Sequence, residues 1–291
     1  MALLGFTNNK QMKTPCLPVD GQKRHFFENK INMKKALNDL VDSIRRWRLW
    51  ALLGWLEIRQ RYARSRIGPF WLTISMGVMI SSIGLVYGTL FNQKLSDYLP
   101  YLAISLVTWS LFSSTIQEGS NCYINNSAYI KQVATPKFIY VLQASWRNIL
   151  IFLHNIVIIV FLMCLFGVKR WDTLFLFIPG IVLVQLNATW IAAIAGLFSA
   201  RYRDFPQIIA SVMQLAFYIT PVMYRPESLT RYQWLIDWNP LVYLIDIVRQ
   251  PLLGEYPSLL SWSVAVIMAM VGWLLAIIMT NRCLPRITYW V

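Results

Sequence analysis

The chain has 291 residues, of which 57% are apolar or aromatic and only 14% charged, and its 27 Lys and Arg against 13 Asp and Glu leave a net charge of +14. That composition excludes a disordered chain and an ordinary soluble domain. Such a surplus on a polar chain would suggest nucleic acid, but on one this apolar it points to a membrane surface, so no nucleic-acid partner is expected.

Residues 1–33 mix Asn, Lys, Pro and Gln without a period and are expected to be a flexible cytoplasmic tail. Their apolar run over 2–6 is too short for a signal-peptide core. Over 34–66, Leu37, Leu40, Ile44, Trp47, Ala51, Trp55 and Ile58 recur at steps of three and four. Asn38, Asp39, Asp42, Arg45, Arg46 and Arg48 mostly take the other faces, which predicts an interfacial amphipathic helix.

Residues 67–291 are expected to form an all-α transmembrane domain of six helices. A bilayer core of roughly 30 Å needs about 20 apolar residues in a helix. Stretches of that kind free of Asp, Glu, Lys and Arg run over 69–91, 98–117, 148–168, 173–200, 205–224 and 257–281. Of the 27 Lys and Arg, 21 then fall on one side and 6 on the other, which predicts cytoplasmic termini. The external stretch 225–256 is too long for a simple connection, and it is expected to form short re-entrant or gate helices placed by Pro240 and ended near Pro251. The Gly84–Gly88 pair reads as ordinary helix packing.

Chemistry is scarce in this frame. Cys16, Cys122, Cys164 and Cys283 lack paired spacing, so neither a disulfide framework nor a metal site is expected. His154 is the one group in the six stretches whose ordinary pKa lies near neutrality, and beside Asn155 it reads as half of a polar interhelical pair or as a proton relay. No HExxH, GxSxG or Gly-Lys dipeptide occurs, so the chain has no route of its own to ATP hydrolysis and is not expected to be an enzyme. Its 13 Trp, 14 Tyr and 15 Phe admit two readings, interfacial belts or a path of flat aromatic faces along which a sugar slides.

The junction Arg61-Tyr62-Ala63-Arg64-Ser65-Arg66-Ile67-Gly68-Pro69-Phe70-Trp71 resembles the RY..S.LG..W signature of polysaccharide-export (ABC-2 type) ABC transporter permeases, the channel subunits that export O-antigen, capsule or teichoic acid. Leu56-Glu57 stands where Arg-Asp is common in that family, and Met76 where a proline often follows the tryptophan. Further similarities follow in order: residues 131–137 around Pro136, Arg201-Tyr202-Arg203-Asp204, Thr220-Pro221-Val222-Met223-Tyr224, Asn239-Pro240, Arg249, and the tail Arg286-Ile287-Thr288-Tyr289-Trp290-Val291.

The resemblance covers about residues 40–291 and implies a homodimeric channel in the bacterial inner membrane, served by two nucleotide-binding ATPase subunits that carry the ATP and Mg. No cofactor is implied in this chain. The implied cargo is an undecaprenyl-linked polysaccharide, O-antigen for lipopolysaccharide biosynthesis, with capsular polysaccharide or teichoic acid as the alternative; a membrane channel or glycosyltransferase is the reading from a different class. The resemblance puts a coupling segment at 118–137, with Asn121, Tyr123, Asn125, Tyr129, Ile130, Lys131, Pro136 and Lys137 toward the ATPase, although its mixture of apolar and polar residues also suits a solvated loop. Arg59, Arg61, Arg64 and Arg66 lie where a lipid pyrophosphate would arrive, and positive-inside anchoring explains them too. Tyr87, Phe217, Tyr218 and Tyr224 are the aromatic candidates for the polysaccharide path.

Overall fold

A computed structural model describes residues 34–63, 65–68, 70–90, 92–167, 170–226 and 233–291. The expected tail at 1–33 lies outside them. The described residues are all helical or connecting, and five helices are long and apolar enough to cross a membrane.

The predicted single helix over 34–66 is two helices, α1 (Lys34–Arg45) and α2 (Trp47–Tyr62). The break is at Arg46, whose ψ of 37° leaves the helical region. The apolar stripe is thereby divided. Ala36, Ser43, Gly54 and Ile58 are buried, whereas Leu37, Ile44, Trp47 and Trp55 stay exposed. Gly54 permits close contact of α2 with the third long helix: a Cβ there would lie 3.2 Å from the Gln143 carbonyl oxygen.

Helix α3 (Phe70–Leu90) is followed by α4 (Leu95–Ser120), then by the short α5 (Cys122–Asn125) and α6 (Ser127–Gln132). Over its most apolar stretch α4 is 78% buried against 11% for α3, which puts α4 at the centre of the bundle. Gly84 and Gly88 meet α4 within the same chain, since a Cβ at Gly84 would sit 2.4 Å from Leu99 Cδ2. Ordinary packing thus accounts for that pair.

Helix α7 (Ile139–Phe166) begins nine residues before the predicted 148. Arg147 marked a boundary in the sequence, but its charge is paired with carboxylates of neighbouring helices and the helix runs through it. A 3-10 turn at Asp172–Leu176 leads into α8 (Phe177–Arg201), whose Ala188, Ala192, Ala193 and Gly196 let it approach α4 and α5 closely. Small residues at such contacts are how helices pack where lipid provides no hydrophobic drive. The Asn187 amide adds a polar tie by donating to the Ala265 carbonyl at 3.1 Å.

The fifth predicted span departs from expectation. Helix α9 covers Phe205–Ile219, 15 residues and so about 22 Å, less than the roughly 30 Å hydrocarbon core. Thr220 precedes Pro221, a position that disfavours helical dihedrals, and it is extended at φ −82° and ψ 134°. Residues 220–224 continue as non-helical chain against α4. Helix α10 (Gln233–Asp237) precedes α11 (Pro240–Leu253), which opens with Asn239 capping the Leu241 N–H and Pro240 at the first position. Helix α11 ends at Gly254, whose φ of 82° is the left-handed conformation of a helix stop.

Helix α11 packs into the bundle beside α4 and α8. A Cβ on Gly180 of α8 would stand 2.5 Å from the Ile247 carbonyl oxygen, so only glycine admits α11 there. Helix α12 (Leu259–Trp290) extends beyond the predicted 281 to the end of the described chain. The His154 Nδ1 hydrogen-bonds the Leu150 carbonyl within α7 at 2.7 Å, and its ring stands edge-on to Phe70 of α3.

Candidate functional site

At one end of the bundle, the residues after α4 are bound into a small second core. Tyr123 and Ile130 are buried with Cys122 against Phe138, Val141, Leu197, Ile287 and Val291. Burial pushes the Tyr123 hydroxyl well above its ordinary pKa. Two predicted coupling residues therefore point inward. The outward face of 118–137 carries Asn125, Tyr129, Lys131 and Val133, with Tyr129 62% and Val133 49% exposed. Asn121 turns back to the Gln117 carbonyl at 3.2 Å. Lys131 reaches the Val291 carbonyl at 2.9 Å, and the Lys137 ammonium reaches that of Ile130 at 3.2 Å; Pro136 is half-buried between.

Asp39 ties this segment to α1. Its carboxylate accepts the N–H groups of Lys137 and Phe138, each at 2.9 Å, and so ties the turn that precedes α7 to α1. Burial pushes its carboxyl above the ordinary range, opposed by these two donors and by the Lys137 charge. Asp39→Ala is expected to cost about 1–3 kcal/mol, the range for leaving part-buried backbone donors without their charged acceptor. Thermal unfolding of the purified protein checks it, with Asp39→Asn, which keeps one acceptor, losing less.

Next to this segment lies a charged junction. Arg147 of α7 donates from Nη2 and Nε to Glu118 Oε2 of α4 at 2.7 and 3.0 Å, and from Nη1 to Glu57 Oε2 of α2. Asn148 donates to Glu118 at 2.6 Å and Gln143 to Glu57 at 2.7 Å. The sequence analysis gives none of Glu57, Glu118 and Arg147 a role: Glu118 and Arg147 each adjoin an apolar stretch, and Glu57 falls in the predicted interfacial helix. The available signal was that two acids and a base occupy the same predicted membrane level.

Of the predicted pyrophosphate cluster, Arg59, Arg61 and Arg66 are exposed, and Arg64 lies outside the described residues. Arg61 stands 3.9 Å from Glu118, at the edge of the same junction.

The aromatic candidates separate onto different helices. Tyr87 on α3 is half-buried against the main core. Phe217 on α9 packs against Trp109 at 5.7 Å and against Tyr218 at 5.6 Å, and Tyr218 is 62% exposed. Its neighbours along the exposed face of α9 are Gln207, Ser211 and Gln214, at steps of four, three and four residues up to Tyr218. An otherwise apolar helix thus presents one polar stripe outward. The Tyr224 hydroxyl donates to the Ile219 carbonyl at 2.9 Å and fastens the 220–224 segment to the end of α9.

That segment is also latched from behind. The hydroxyls of Tyr98 and Tyr101 on α4 donate to the carbonyls of Met223 and Tyr224 at 2.5 and 2.9 Å. Arg249 of α11, only 4% exposed, donates to the Pro221 carbonyl at 2.9 Å, to the Tyr101 hydroxyl at 2.5 Å and to Asp246 at 2.5 Å, with its guanidinium 4.3 Å from the Tyr101 ring centroid. Residues 227–232 of the predicted gate segment lie outside the described residues.

Among the described residues no cluster of three or more His, Cys, Asp or Glu could hold a metal ion. The family profile described as "ABC-2 type transporter" matches residues 48–253, which contain both the charged junction and the Arg249 latch. An O-antigen export system permease protein RfbA of Klebsiella pneumoniae is 24% identical over 83% of this chain and 93% of its own. One from Myxococcus xanthus is 21% identical over 65% of this chain and 74% of its own, and the polysialic acid transport protein KpsM of Escherichia coli 19% over 69% and 80%. The chain belongs to the ABC-2 type transporter family, as a multi-pass, non-catalytic transport subunit of the bacterial inner membrane.

Proposed function

We propose that two copies of this chain form the channel of an ATP-driven exporter that moves undecaprenyl-linked polysaccharide, O-antigen, from cytoplasm to periplasm. In this reading α9 and the extended 220–224 segment complete a sixth crossing, both ends of the chain face the cytoplasm, and 225–256 forms the outer gate. Two ATPase subunits dock at 118–137 through Asn125, Tyr129, Lys131 and Val133, while Tyr123 and Ile130 hold that face in place from inside. Arg59, Arg61, Arg64 and Arg66 receive the lipid pyrophosphate as guanidinium forks suited to phosphate.

The observation that supports this most is the polar stripe of α9. In lipid, Gln207, Ser211, Gln214 and Tyr218 would be costly on an outward face. Facing a second copy across a wet channel they would meet sugar hydroxyls, with Phe217, Tyr224 and Tyr87 adding flat apolar faces. Gln207→Leu/Gln214→Leu is expected to cut surface polysaccharide severalfold in a strain lacking its own copy, while assembly with the ATPase and basal ATP hydrolysis persist. Unchanged export from that variant would defeat the channel face. The similarity to polysialic acid transport proteins favours capsular polysaccharide as a second cargo, and restoration of capsule in a capsule-export mutant, with no restoration in an O-antigen mutant, would select it.

A further inference from the structure

An apolar groove of about 930 Å3 is bordered by α7, α8 and α12 and by no residue of α9. Its walls include Ile149 and Leu153 of α7, Ile181 and Leu186 of α8, and Met270 and Trp273 of α12. Along α7 it runs from Leu142 to Ile156, a rise of about 21 Å, somewhat more than the roughly 15 Å of one leaflet's hydrocarbon. Its few polar side chains bond mainly to one another: the Gln185 amide donates to Ser145 at 2.6 Å and Ser145 bonds Thr189 at 3.0 Å, with the Gln185 Oε1 the acceptor left without a partner among them. A glycan would find little to bond there, whereas a hydrocarbon chain fits.

One end of the groove is covered by Leu40, Ile44 and Trp50, with Trp50 edge-on to Trp146 at 5.9 Å. The residues between Ile44 and Trp50 form the α1–α2 break and bound a second hollow of about 510 Å3, lined by Arg45, Arg46, Trp47, Arg48 and Leu49. Among the described residues Arg45, Arg46 and Arg48 are exposed and none of them is in an ion pair. Three arginines therefore lie on the short piece of chain that joins Ile44 and Trp50, two residues lining a groove as long as an acyl chain. Together they match the two halves of one anionic lipid.

We infer that this groove holds an anionic phospholipid of the cytoplasmic leaflet, its phosphate at Arg45, Arg46 and Arg48 and one acyl chain between α7, α8 and α12. The leaflet assignment rests on the orientation proposed above. The lipid would fix the α1–α2 break against the bundle, near the Asp39 tie and the charged junction.

The test is tryptophan quenching of the purified full-length chain with its ATPase in neutral detergent, titrated with phosphatidylglycerol or phosphatidylcholine carrying brominated acyl chains. Half-maximal quenching is expected at about tenfold less phosphatidylglycerol than phosphatidylcholine, given three basic residues between Ile44 and Trp50. R45Q/R46Q/R48Q, all exposed positions, should bring the two lipids to equality with an unchanged thermal midpoint. Ala269→Phe, which fills the groove from α12, should reduce quenching by both lipids. Equal titrations in the natural protein, a preference surviving in the triple variant, or displacement of the brominated lipid by equimolar undecaprenyl-linked glycan would each overturn the assignment. Detergent has no sidedness, so an inverted topology would leave these results unchanged and fail only in a separate accessibility experiment.

Discussion

Replacing Arg249 with leucine is expected to destabilise the protein by about 3–5 kcal/mol, the cost of removing one partner from a buried charge pair. The guanidinium is 5% exposed and Asp246 15% exposed, so the carboxylate left behind could not recover full hydration. Its loss also takes a donor from the Pro221 carbonyl and the cation from the Tyr101 ring. In thermal unfolding of the purified protein the midpoint should drop by roughly 10 °C, at a few degrees per kcal/mol. Arg249→Lys keeps the charge but not the planar fork that serves Tyr101, Pro221 and Asp246 together, and it should recover only part of the loss. The decisive variant is Arg249→Leu/Asp246→Leu, because removing both charges often costs little. A double variant as unstable as Arg249→Leu alone would show that the contacts to Pro221 and Tyr101, not the charge pair, carry the effect.

That latch was only half legible in the sequence. Asn239-Pro240 announces a helix start through local backbone rules, and the structure has it there, whereas the fifth predicted stretch ran through Thr220-Pro221 to 224 although a residue before proline disfavours helix and the helix stops at Ile219. Five long membrane helices were legible for a similar reason, since an apolar run of that length has few other uses. What joins these pieces was hidden. Arg249 is 148 residues from Tyr101, and Arg147 is 90 residues from Glu57, so neither local propensity nor periodicity could pair them. Treating every charge as the edge of a span also misplaced the start of α7, because a paired arginine is tolerated at a helix flank where a lone one is not.

The inward turn of Tyr123 and Ile130 has the same origin. An amphipathic pattern fixes which residues share a face, not whether that face meets solvent, a partner or the rest of its own chain. Here the apolar face of 118–137 is consumed by Phe138, Leu197 and Ile287, and Tyr129 and Val133 are what remains for another protein. A charged residue at position 130 would therefore break the small core itself, and only substitutions at Tyr129 or Val133 test docking without that confusion.

Removing Arg147 should uncouple what α4 connects. This one helix of 26 residues, about 39 Å long, holds Tyr98 and Tyr101 at the latch near one end and Glu118 in the charged junction at the other, where the segment proposed to meet the ATPase begins. A stiff element fastened at both ends can transmit a displacement only while both fastenings hold. Arg147→Ala leaves Glu57 and Glu118 facing one another without their common cation. Both carboxylates keep some contact with water, at 34% and 24% exposure, so the expected loss is about 2–3 kcal/mol rather than the full cost of a buried pair. Arg147→Ala/Glu57→Gln/Glu118→Gln removes the repulsion and should regain much of that stability in thermal unfolding. Export should not return with it, because neutral side chains no longer bind α2, α4 and α7 into one unit. ATP hydrolysis by the reconstituted complex should persist in both variants while polysaccharide reaching the surface falls severalfold. Equal losses of hydrolysis and export would mean that Arg147 serves assembly alone, and the lever through α4 would have to be given up.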